Sequence, residues 1–445
     1  NKQTDNISQQ VMLELEPIKN WVTRATFNYR ILSYNLHQDR QMRYNHDVNG
    51  NPYVYATGSS VREELNKENH YNFSVTSEYT QSFNKKHNLH VMAGFQAEDL
   101  KQTYFALQRN GVLFPNKPEV DLTTGLDYNG NPVTPSTNGQ RNEWAVAGVF
   151  GRINYDYDGR YLLEGNLRYD GSSRFRPGNQ WKLFSSISAG WNISRESFFE
   201  PLKNVIDILK LRVSYGTLGN QNTNNWYQTY STMSVISAGG GWLFNGIRPN
   251  VAFAPGLVSE TLSWETIETY NIGLDWGLFN NRLTGSFDYY VRNTLDMVGN
   301  APQLPAVLGT SVPVANNTDL RTSGWELSLG WQDYLTNGLN YGIKFNLYDS
   351  RAKITRYPNN PTNAIGTYIE GRYINDIWGY TTIGIAKTDK DMNAHLATLP
   401  KGGQDALGSN WGSGDIMYKD INGDGKISGG SGVLGDTGDM IVIGN

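Results

Sequence analysis

Apolar and polar residues alternate along many short segments of the chain, and the clearest example is the stretch 161–169. Every odd position there is apolar or small, from Tyr161 to Tyr169, whereas Glu164, Asn166 and Arg168 are polar. A spacing of two places alternate side chains on opposite faces of a β-strand. The stretch therefore predicts a strand with one apolar face and one polar face.

The same pattern recurs along the chain and predicts about twelve strands. The predicted strands are 11–16, 21–29, 71–79, 89–97, 145–155, 161–169, 183–193, 209–215, 270–278, 283–291, 325–331 and 339–347. Short and long connections alternate between them, and the predicted long loops include 32–69, 100–142 and 216–265. One short segment, 194–209, is compatible with a helix.

Short connections on one side of a sheet and long ones on the other are typical of outer-membrane β-barrels. The predicted strands are close to the ~9–11 residues that a tilted strand needs to cross a membrane. Aromatic residues such as Trp21, Tyr161 and Trp331 stand at strand ends, where barrels have interfacial girdles. A soluble β-sandwich or propeller also has one apolar face, and it stays open as an alternative, although no fixed-period repeat is present.

Composition narrows the class of protein further. The chain has 445 residues, a formal net charge of −4 and no cysteine. The negative charge argues against nucleic-acid binding, and the absence of cysteine fits a bacterial envelope protein. The longest apolar run, near 144–150, is far shorter than the ~20 residues of a membrane helix. No signal peptide is visible after Asn1, and we expect the chain to be an excerpt of a longer protein.

The sharpest local motif runs from Asp420 to Ile427. Asp420, Asn422 and Asp424 occupy positions 1, 3 and 5, and a glycine stands at position 6, as in an EF-hand-like Ca²⁺ loop. Lys426 at position 7 offers its backbone carbonyl. Ser431 replaces the bidentate glutamate of position 12, and Asp415 or Asp436 would have to complete the shell. The alternative is a turn-rich loop whose side chains bind nearby amides.

Other candidate residues are weaker. His87 and His90 are separated by a turn and do not predict a metal site. No nucleophile elbow, phosphate-binding loop or paired catalytic carboxylate is found, so we expect no enzymatic activity. The polar face carries charges of both signs, including Arg24, Arg168, Arg212, Asp275 and Asp288. Five aromatic residues in the loop 216–265 are candidates for substrate binding or for contact with a partner protein: Trp226, Tyr227, Tyr230, Trp242 and Phe244.

Several sequence stretches resemble the SusC/RagA family of TonB-dependent outer-membrane transporters of Bacteroidetes-type bacteria. The stretch 167–175 (Leu-Arg-Tyr-Asp-Gly-Ser-Ser-Arg-Phe) is similar to the barrel signature of that family. It is followed in the family's order by the stretches 184–191, 196–199, 209–216, 262–265, 271–275, 281–283, 288–290 and 414–420. Ser185 stands where the family usually has proline.

The resemblance implies an all-β, antiparallel transmembrane β-barrel with long extracellular loops, of which this chain holds about 12 of roughly 22 strands. Residues 1–348 would form barrel strands and loops. Residues 349–445 would form a long extracellular region containing the Asp/Gly-rich motif, and the plug domain and C-terminal strands would be absent from this chain.

The resemblance further implies TonB-dependent active import of oligosaccharides across the bacterial outer membrane. A SusD-like surface lipoprotein would be the partner, and TonB would act through the N-terminal part that this chain lacks. Membrane lipid would surround the barrel, no nucleic acid would bind, and no cofactor is expected apart from the candidate Ca²⁺. A RagA-like oligopeptide importer is the first alternative, and a passive porin or a soluble β-rich glycan-binding protein is the second.

Overall fold

The computed structural model describes residues 1–223, 225–236, 238–302, 305, 307, 310, 312–335 and 338–444. Its strands are β1 (Lys2–Ile18), β2 (Trp21–Arg40), β3 (Arg43–His46), β4 (Pro52–Ala56), β5 (Ser60–Phe83), β6 (His87–Asn110), β7 (Ser136–Tyr157), β8 (Tyr161–Ser172), β9 (Trp181–Asn192), β10 (Ile206–Asn220), β11 (Val235–Ile236), β12 (Val251–Ala252), β13 (Glu265–Leu278), β14 (Leu283–Asn300), β15 (Val314–Tyr334), β16 (Asn340–Arg356), β17 (Ile377–Tyr380), β18 (Thr382–Ile385), β19 (Ile416–Tyr418) and β20 (Met440–Gly444). Short 3₁₀ helices span Val120–Leu122, Ile193–Arg195 and Ser197–Leu202, and α1 spans Asp389–Ala397.

Twelve of these strands form one antiparallel sheet. Their order is β1, β2, β5, β6, β7, β8, β9, β10, β13, β14, β15 and β16, with β1 and β16 at the two ends. The strands left out of this order form separate two-stranded sheets. Each long strand therefore lies beside the long strand that precedes it in the sequence, as hairpin connections require. The predicted all-β fold of about twelve antiparallel strands is confirmed.

The apolar face of the long strands is exposed. Leu163 and Leu167 on β8 are 48% and 53% exposed, and Ile343, Phe345 and Leu347 on β16 are exposed as well. In a soluble antiparallel sheet the apolar face packs on a core and only the polar face meets solvent. β8 shows the opposite arrangement, because its apolar positions are exposed and its polar positions are half-buried. This favours a sheet whose apolar face lies against lipid over a soluble sandwich.

Several strands are longer than the alternation predicts. β2 ends at Arg40 and β5 begins at Ser60, so the predicted loop 32–69 is wrong at both ends. The predicted loop 100–142 is also too long, because β6 ends at Asn110 and β7 begins at Ser136. These extensions carry polar residues on both faces. Their ladders continue through backbone hydrogen bonds and polar pairs such as Tyr34 Oη to Glu64 Oε1 at 2.8 Å. Apolar periodicity does not predict strands that have no apolar face.

The chain forms two compact units. The first comprises Asn1–Tyr155, Gly165–Leu183 and Thr223–Tyr227, and the second comprises Asp156–Glu164, Phe184–Asn222 and Gln228–Asn445. In the first unit β1, β2, β5 and β6 are paired antiparallel in this order, with a register shift between Leu15 and Ile18 on β1. In the second unit β10, β13, β14, β15 and β16 are paired in the same way.

The second unit also holds the region after β16, where short strands and a helix surround a small core. β17 pairs with β20 and β18 with β19, and Met392 and Ile427 are fully buried. Thr388 caps α1 in a reciprocal pair with Asp391. The sequence did not predict this helix, and the helix considered near 194–209 is two short 3₁₀ turns. β16 continues past residue 348, and the assignment of the residues beyond this strand to an extracellular region stays a prediction.

None of the helices in the described part of the chain has both the length and the apolar character needed to span a membrane.

Candidate functional site

Charged residues on the polar face of the second unit form a network centred on Arg212. Its guanidinium donates to both carboxylate oxygens of Asp275, each at 2.8 Å, and to Asp288 Oδ2 at 3.0 Å. β10, β13 and β14 bring the three residues together, because Arg212 stands opposite Gly273 and Gly273 stands opposite Asp288. A bidentate arginine–carboxylate pair is among the stronger polar contacts in proteins.

The first unit holds similar networks. Arg24 on β2 donates to Glu14 on β1 at 2.6 Å and pairs with Glu78 on β5. Arg168 pairs with Asp170 on the same strand at 2.6 Å. Arg24, Arg168 and Arg212 are therefore engaged in cross-strand or same-strand ion pairs, which gives these residues a structural role.

Two of the predicted aromatic residues, Trp226 and Tyr227, lie in a cluster of the first unit. The guanidinium of Arg174 lies between two indoles, 5.4 Å from the ring centre of Trp144 and 5.6 Å from that of Trp226. Arg174 also donates to Thr223 Oγ1 at 3.1 Å. Burial lowers the pKa of the Arg174 guanidinium below its usual range. The cation–π contacts and the hydrogen bond hold Trp226 and Thr223 in place.

Tyr227 extends this cluster, since its hydroxyl accepts a hydrogen bond from the backbone N–H of Glu143 at 2.9 Å. Neither Trp144 nor Arg174 was among the candidate site residues. Arg174 does belong to the family-like stretch 167–175, and that was the one available signal. Trp144 directly precedes the predicted strand 145–155 and carried no separate signal.

The other three predicted aromatic residues, Tyr230, Trp242 and Phe244, belong to the second unit. Phe244 and Ile247 exchange backbone hydrogen bonds at 2.8 and 3.1 Å around a tight turn. Asn245 and Gly246 have φ of 47° and 78°, the left-handed values that a type I′ turn needs. Trp242 and Phe244 are 77% and 70% exposed. The turn presents large apolar side chains on the surface.

The predicted metal motif folds into a tight loop stabilised by its own amides. Asp420 accepts hydrogen bonds from the N–H groups of Gly423 and Gly425, at 2.6 and 2.9 Å. Asp424 accepts from Lys426 N at 3.1 Å, and Asn422 Oδ1 accepts from Asp424 N at 3.0 Å. These are the bonds that a turn-rich loop would form, so the geometry alone is compatible with both readings of the motif.

The structure adds Asp439 to this loop. Oxygen atoms of Asp420, Asp424 and Asp439 all lie within 4.8 Å of one another. Asp439 is fully buried and accepts from the amides of Ile421 and Ser428, at 2.7 and 2.9 Å. The described cluster contains neither of the two residues suggested from sequence to complete the shell, Asp415 and Asp436. No local signal pointed to Asp439, which comes in the chain well after the motif.

Near this cluster, neighbouring groups shift two pKa values. Hydrogen bonds from the side chain and the amide of Ser431 lower the pKa of Asp436. Burial, and then the charge of Asp439, raise the pKa of the Tyr380 hydroxyl. Oxygen ligands of this kind suit a hard cation such as Ca²⁺, and the oxygens of Asp420, Asp424 and Asp439 are the ones that would hold it.

The comparison with protein families decides the identity of the fold. Residues 2–434 match the model of the family described as TonB dependent receptor-like, beta-barrel. The chain belongs to this family. Its members are outer-membrane proteins, so the exposed apolar face of the strands faces lipid and the polar face faces the barrel interior. The family resemblance and the location inferred from the sequence are confirmed.

Several relatives place the chain within this family. It is 27% identical over 471 residues to TonB-dependent receptor P39 of Formosa agariphila, an alignment that covers 99% of this chain and 42% of the relative. It is 32% identical over 212 residues to TonB-dependent receptor SusC of Bacteroides thetaiotaomicron, covering 47% of this chain and 21% of SusC. The chain thus spans less than half the length of these receptors.

Solved structures agree on the fold. The structure of the RagAB peptide transporter matches with a TM-score of 0.71 and 24% identity, covering 87% of this chain and 41% of the matched chain. A RagAB structure in the "closed-closed" state gives the same TM-score at 22% identity and covers the whole of this chain.

Proposed function

We propose that the protein to which this chain belongs imports oligosaccharides across the outer membrane, driven through TonB and assisted by a SusD-like surface lipoprotein. The observation that carries this proposal is the family match over residues 2–434, and the exposed apolar face supports the same reading. The 32% identity to SusC over 212 residues supports the SusC-like branch of the proposal.

The polar face supports a neutral cargo. Arg212 is balanced by Asp275 and Asp288, and Arg24 is balanced by Glu14 and Glu78. A pathway for an anionic cargo would instead carry an excess of unpaired cations. A lining of paired charges and amides presents donors and acceptors without a strong net field, which suits hydroxyl-rich solutes.

The exposed aromatic residues support a role in ligand or partner contact. Trp242 and Phe244 lie on the surface, where flat rings can stack on a sugar ring or pack against a lid protein. Trp226 and Tyr227 are engaged by Arg174 and Glu143, so we assign them to the support of the loop, with the exposed edge of Tyr227 as a further contact. Tyr230 stays a candidate for the same contact surface.

An oligopeptide importer is the second candidate, because the fold of the chain is similar to that of the RagAB peptide transporter. The identity of 24% supports a shared fold, and it does not extend to cargo. A passive porin would need no energy source. A soluble glycan-binding protein is disfavoured by the exposed apolar face of β8 and β16.

Uptake measurements test the proposal. A strain lacking the intact gene, complemented with the full-length protein, is given fluorescent oligosaccharides in one arm and fluorescent oligopeptides of similar mass in the other. We expect uptake of the oligosaccharide that disappears when TonB is deleted. Uptake of peptide alone would favour the second candidate, and uptake that persists without TonB would identify a passive pore.

The partner is tested separately, by affinity purification of the tagged full-length protein from outer membranes. We expect a surface lipoprotein to co-purify in near-equal amount. Replacement of Trp242 and Phe244 by alanine should weaken this association or the uptake, whereas replacement of Phe345, an exposed residue of the lipid-facing side, should change neither. Purification without any lipoprotein would contradict the partner.

The Asp420 loop stays a candidate Ca²⁺ site. Three carboxylates with converging oxygens support it, and the absence of a bidentate ligand at Ser431 counts against tight binding.

A further inference from the structure

A groove opens on the lipid-facing side of the first unit. It has a volume of about 420 Å³ and runs between the rings of Phe27 and Phe73 on one side and Trp181 on the other. Small residues, among them Ala97, Ala147 and Gly171, line the space between these rings. The groove therefore has aromatic walls and a floor that lies close to the backbone.

Strand pairing explains how the sequence builds the groove. Phe27 stands opposite Phe73, and Phe73 stands opposite Ala97, so a row of two large side chains ends at a small one. Residues directly opposite each other on one face of a sheet are side by side. The change from phenylalanine to alanine along the row makes a step in the surface.

Gly171 fixes the second wall. A Cβ at this position would lie 2.5 Å from the indole of Trp181, which shows that the ring rests directly on the glycine backbone. The phenol of Tyr169 stacks on the same indole, with ring centres 5.2 Å apart and an angle of 25° between the planes. Trp181 is 49% exposed, so one side of its ring is held by protein and the other borders the groove.

Charged residues stand beside one end of the groove. Asp99 lines it, and Lys101 lies 3.4 Å from Asp99 and 3.2 Å from Glu143. Tyr71, which stands opposite Asp99, stacks on Tyr29 with ring centres 4.9 Å apart. Tyrosines followed by charged residues mark the level of lipid headgroups in membrane proteins. The groove thus extends from the headgroup level into the hydrocarbon.

We propose that this groove binds one acyl chain of a lipid of the surrounding outer membrane and holds that lipid in a fixed place. The groove continues the lipid-facing surface, so a lipid chain reaches it without crossing a polar barrier. An unfilled groove would forfeit the dispersion contacts of its walls. Its volume falls within the ~300–1,000 Å³ typical of sites for small ligands.

The headgroup end fits the same occupant. Lys101 offers a cation between the two carboxylates of Asp99 and Glu143, so a headgroup that carries both a phosphate and an amine finds a partner for each charge. On a flat stretch of the lipid-facing surface a chain touches protein on one side only. In the groove an acyl chain contacts both walls and the floor, so it makes more contacts with protein than on a flat surface. These extra contacts favour binding of the lipid in the groove.

The test uses the intact outer-membrane protein reconstituted with a phospholipid that carries a photoreactive diazirine on its acyl chain. After irradiation, cross-linked peptides are located by mass spectrometry. We expect cross-links to concentrate several-fold on peptides containing Phe27, Phe73 and Trp181 relative to other lipid-facing strand segments. Replacing Ala97 or Ala147 by leucine fills the floor and should reduce these cross-links several-fold.

Ala25→Leu is the matched control, because Ala25 lies on the same face of β2, between Leu13 and Val75, and does not line the groove. The Ala25→Leu variant should leave the distribution of cross-links unchanged. If a leucine variant fails to fold, Trp181→Ala removes one wall instead and should abolish the preference for the groove. An even distribution of cross-links along the face, or recovery of a lipoprotein anchor as the retained adduct, would overturn the proposal.

Discussion

Gly273 allows the guanidinium of Arg212 to pass across the neighbouring strand. The two residues are opposite each other in the β10–β13 ladder, and a Cβ at position 273 would lie 2.7 Å from Nη2 of Arg212. Glycine in the middle of a strand is otherwise unfavourable, because it has no side chain to pack and loses more backbone entropy than other residues. Its presence here is explained by the ion pair that it makes room for.

Gly273→Ala should therefore destabilise the barrel. The added methyl group meets the fork of Arg212 and the carboxylate of Asp288, so the network must shift. Overpacking of this kind typically costs ~1–3 kcal/mol. The free energy of unfolding, from urea titration in detergent or lipid, measures the loss. Gly165→Ala is the control, since open space surrounds its Cβ position, and an equal effect of both changes would contradict the argument.

Arg212→Lys tests the geometry of the same network. Lysine keeps the positive charge but cannot form a bidentate hydrogen bond with Asp275 and also bind Asp288. We expect the lysine variant to lose most of the stability that Arg212→Met loses, on the order of 1–3 kcal/mol for carboxylates left partly unsatisfied. If lysine restored the full free energy of unfolding, charge rather than geometry would explain the network.

The sequence predicted the fold where one face of a strand is apolar. β8 is such a strand, because Tyr161, Leu163, Leu167 and Tyr169 alternate with polar residues and lie on the exposed face of the structure. The extensions of β2, β5 and β6 carry no such alternation. Their strand conformation comes from pairing with a neighbour, and the ladder between Leu36 and Glu64 illustrates this. Local patterns do not encode that neighbour.

The candidate sites show the same limit. Asp420 and Asp424 are recognisable because the spacing of a loop motif is local, whereas Asp439 joins them only through the fold. Likewise the place of Trp226 in the predicted loop 216–265 makes it a candidate for ligand or partner contact, yet its ring lies against Arg174, about fifty positions earlier in the chain. Residues that are distant in the sequence form a site only when the fold brings them together. The sequence alone does not show which of them will be neighbours.

The contact between Arg174 and Trp226 should anchor the part of the loop that contains Trp226 and Tyr227. Trp226→Ala removes one face of the cation–π arrangement, worth ~0.5–2 kcal/mol, and we expect faster proteolysis within 216–265 and faster amide exchange there. Trp242→Ala is the matched control, because Trp242 is 77% exposed. Equal acceleration by both substitutions would show that the loop is not anchored by Arg174.

If the Asp420 loop binds Ca²⁺, the ion should stabilise the region after β16. Saturating Ca²⁺ at about a hundred times its dissociation constant would add ~2.7 kcal/mol to the stability of the folded loop. Asp439→Asn and Asp420→Asn should abolish a calcium-dependent rise in thermal stability, whereas Asp405→Asn at an exposed position should keep it. Equal thermal stability of the wild-type protein in Ca²⁺ and in chelator would contradict Ca²⁺ binding. The loop would then be a turn stabilised by its own amides alone.

Two loops of the first unit use the same turn, Asp-x-Asn-Gly-Asn-Pro, beginning at Asp47 and at Asp127. In each, the aspartate Oδ1 accepts from the N–H groups two and four residues later, all four bonds being 2.8 Å long. Gly50 and Gly130 have φ of 82° and 81°, which explains the glycine. The two turns are therefore the same structure formed twice.

This turn makes both loops sensitive to acid. Hydrogen bonds, chiefly from the backbone N–H of Asn51 and of Asn131, lower the pKa of Asp47 and Asp127 below its usual range. Because the folded pKa is the lower one, the stabilisation is complete above the pKa of the unfolded loop and is lost as the pH falls through the folded pKa. NMR titration of the Asn51 and Asn131 amides should give midpoints below that of an unstructured aspartate. Asp47→Asn should remove the transition from its own loop and leave that at Asp127, and a midpoint at or above the ordinary value would refute the assignment.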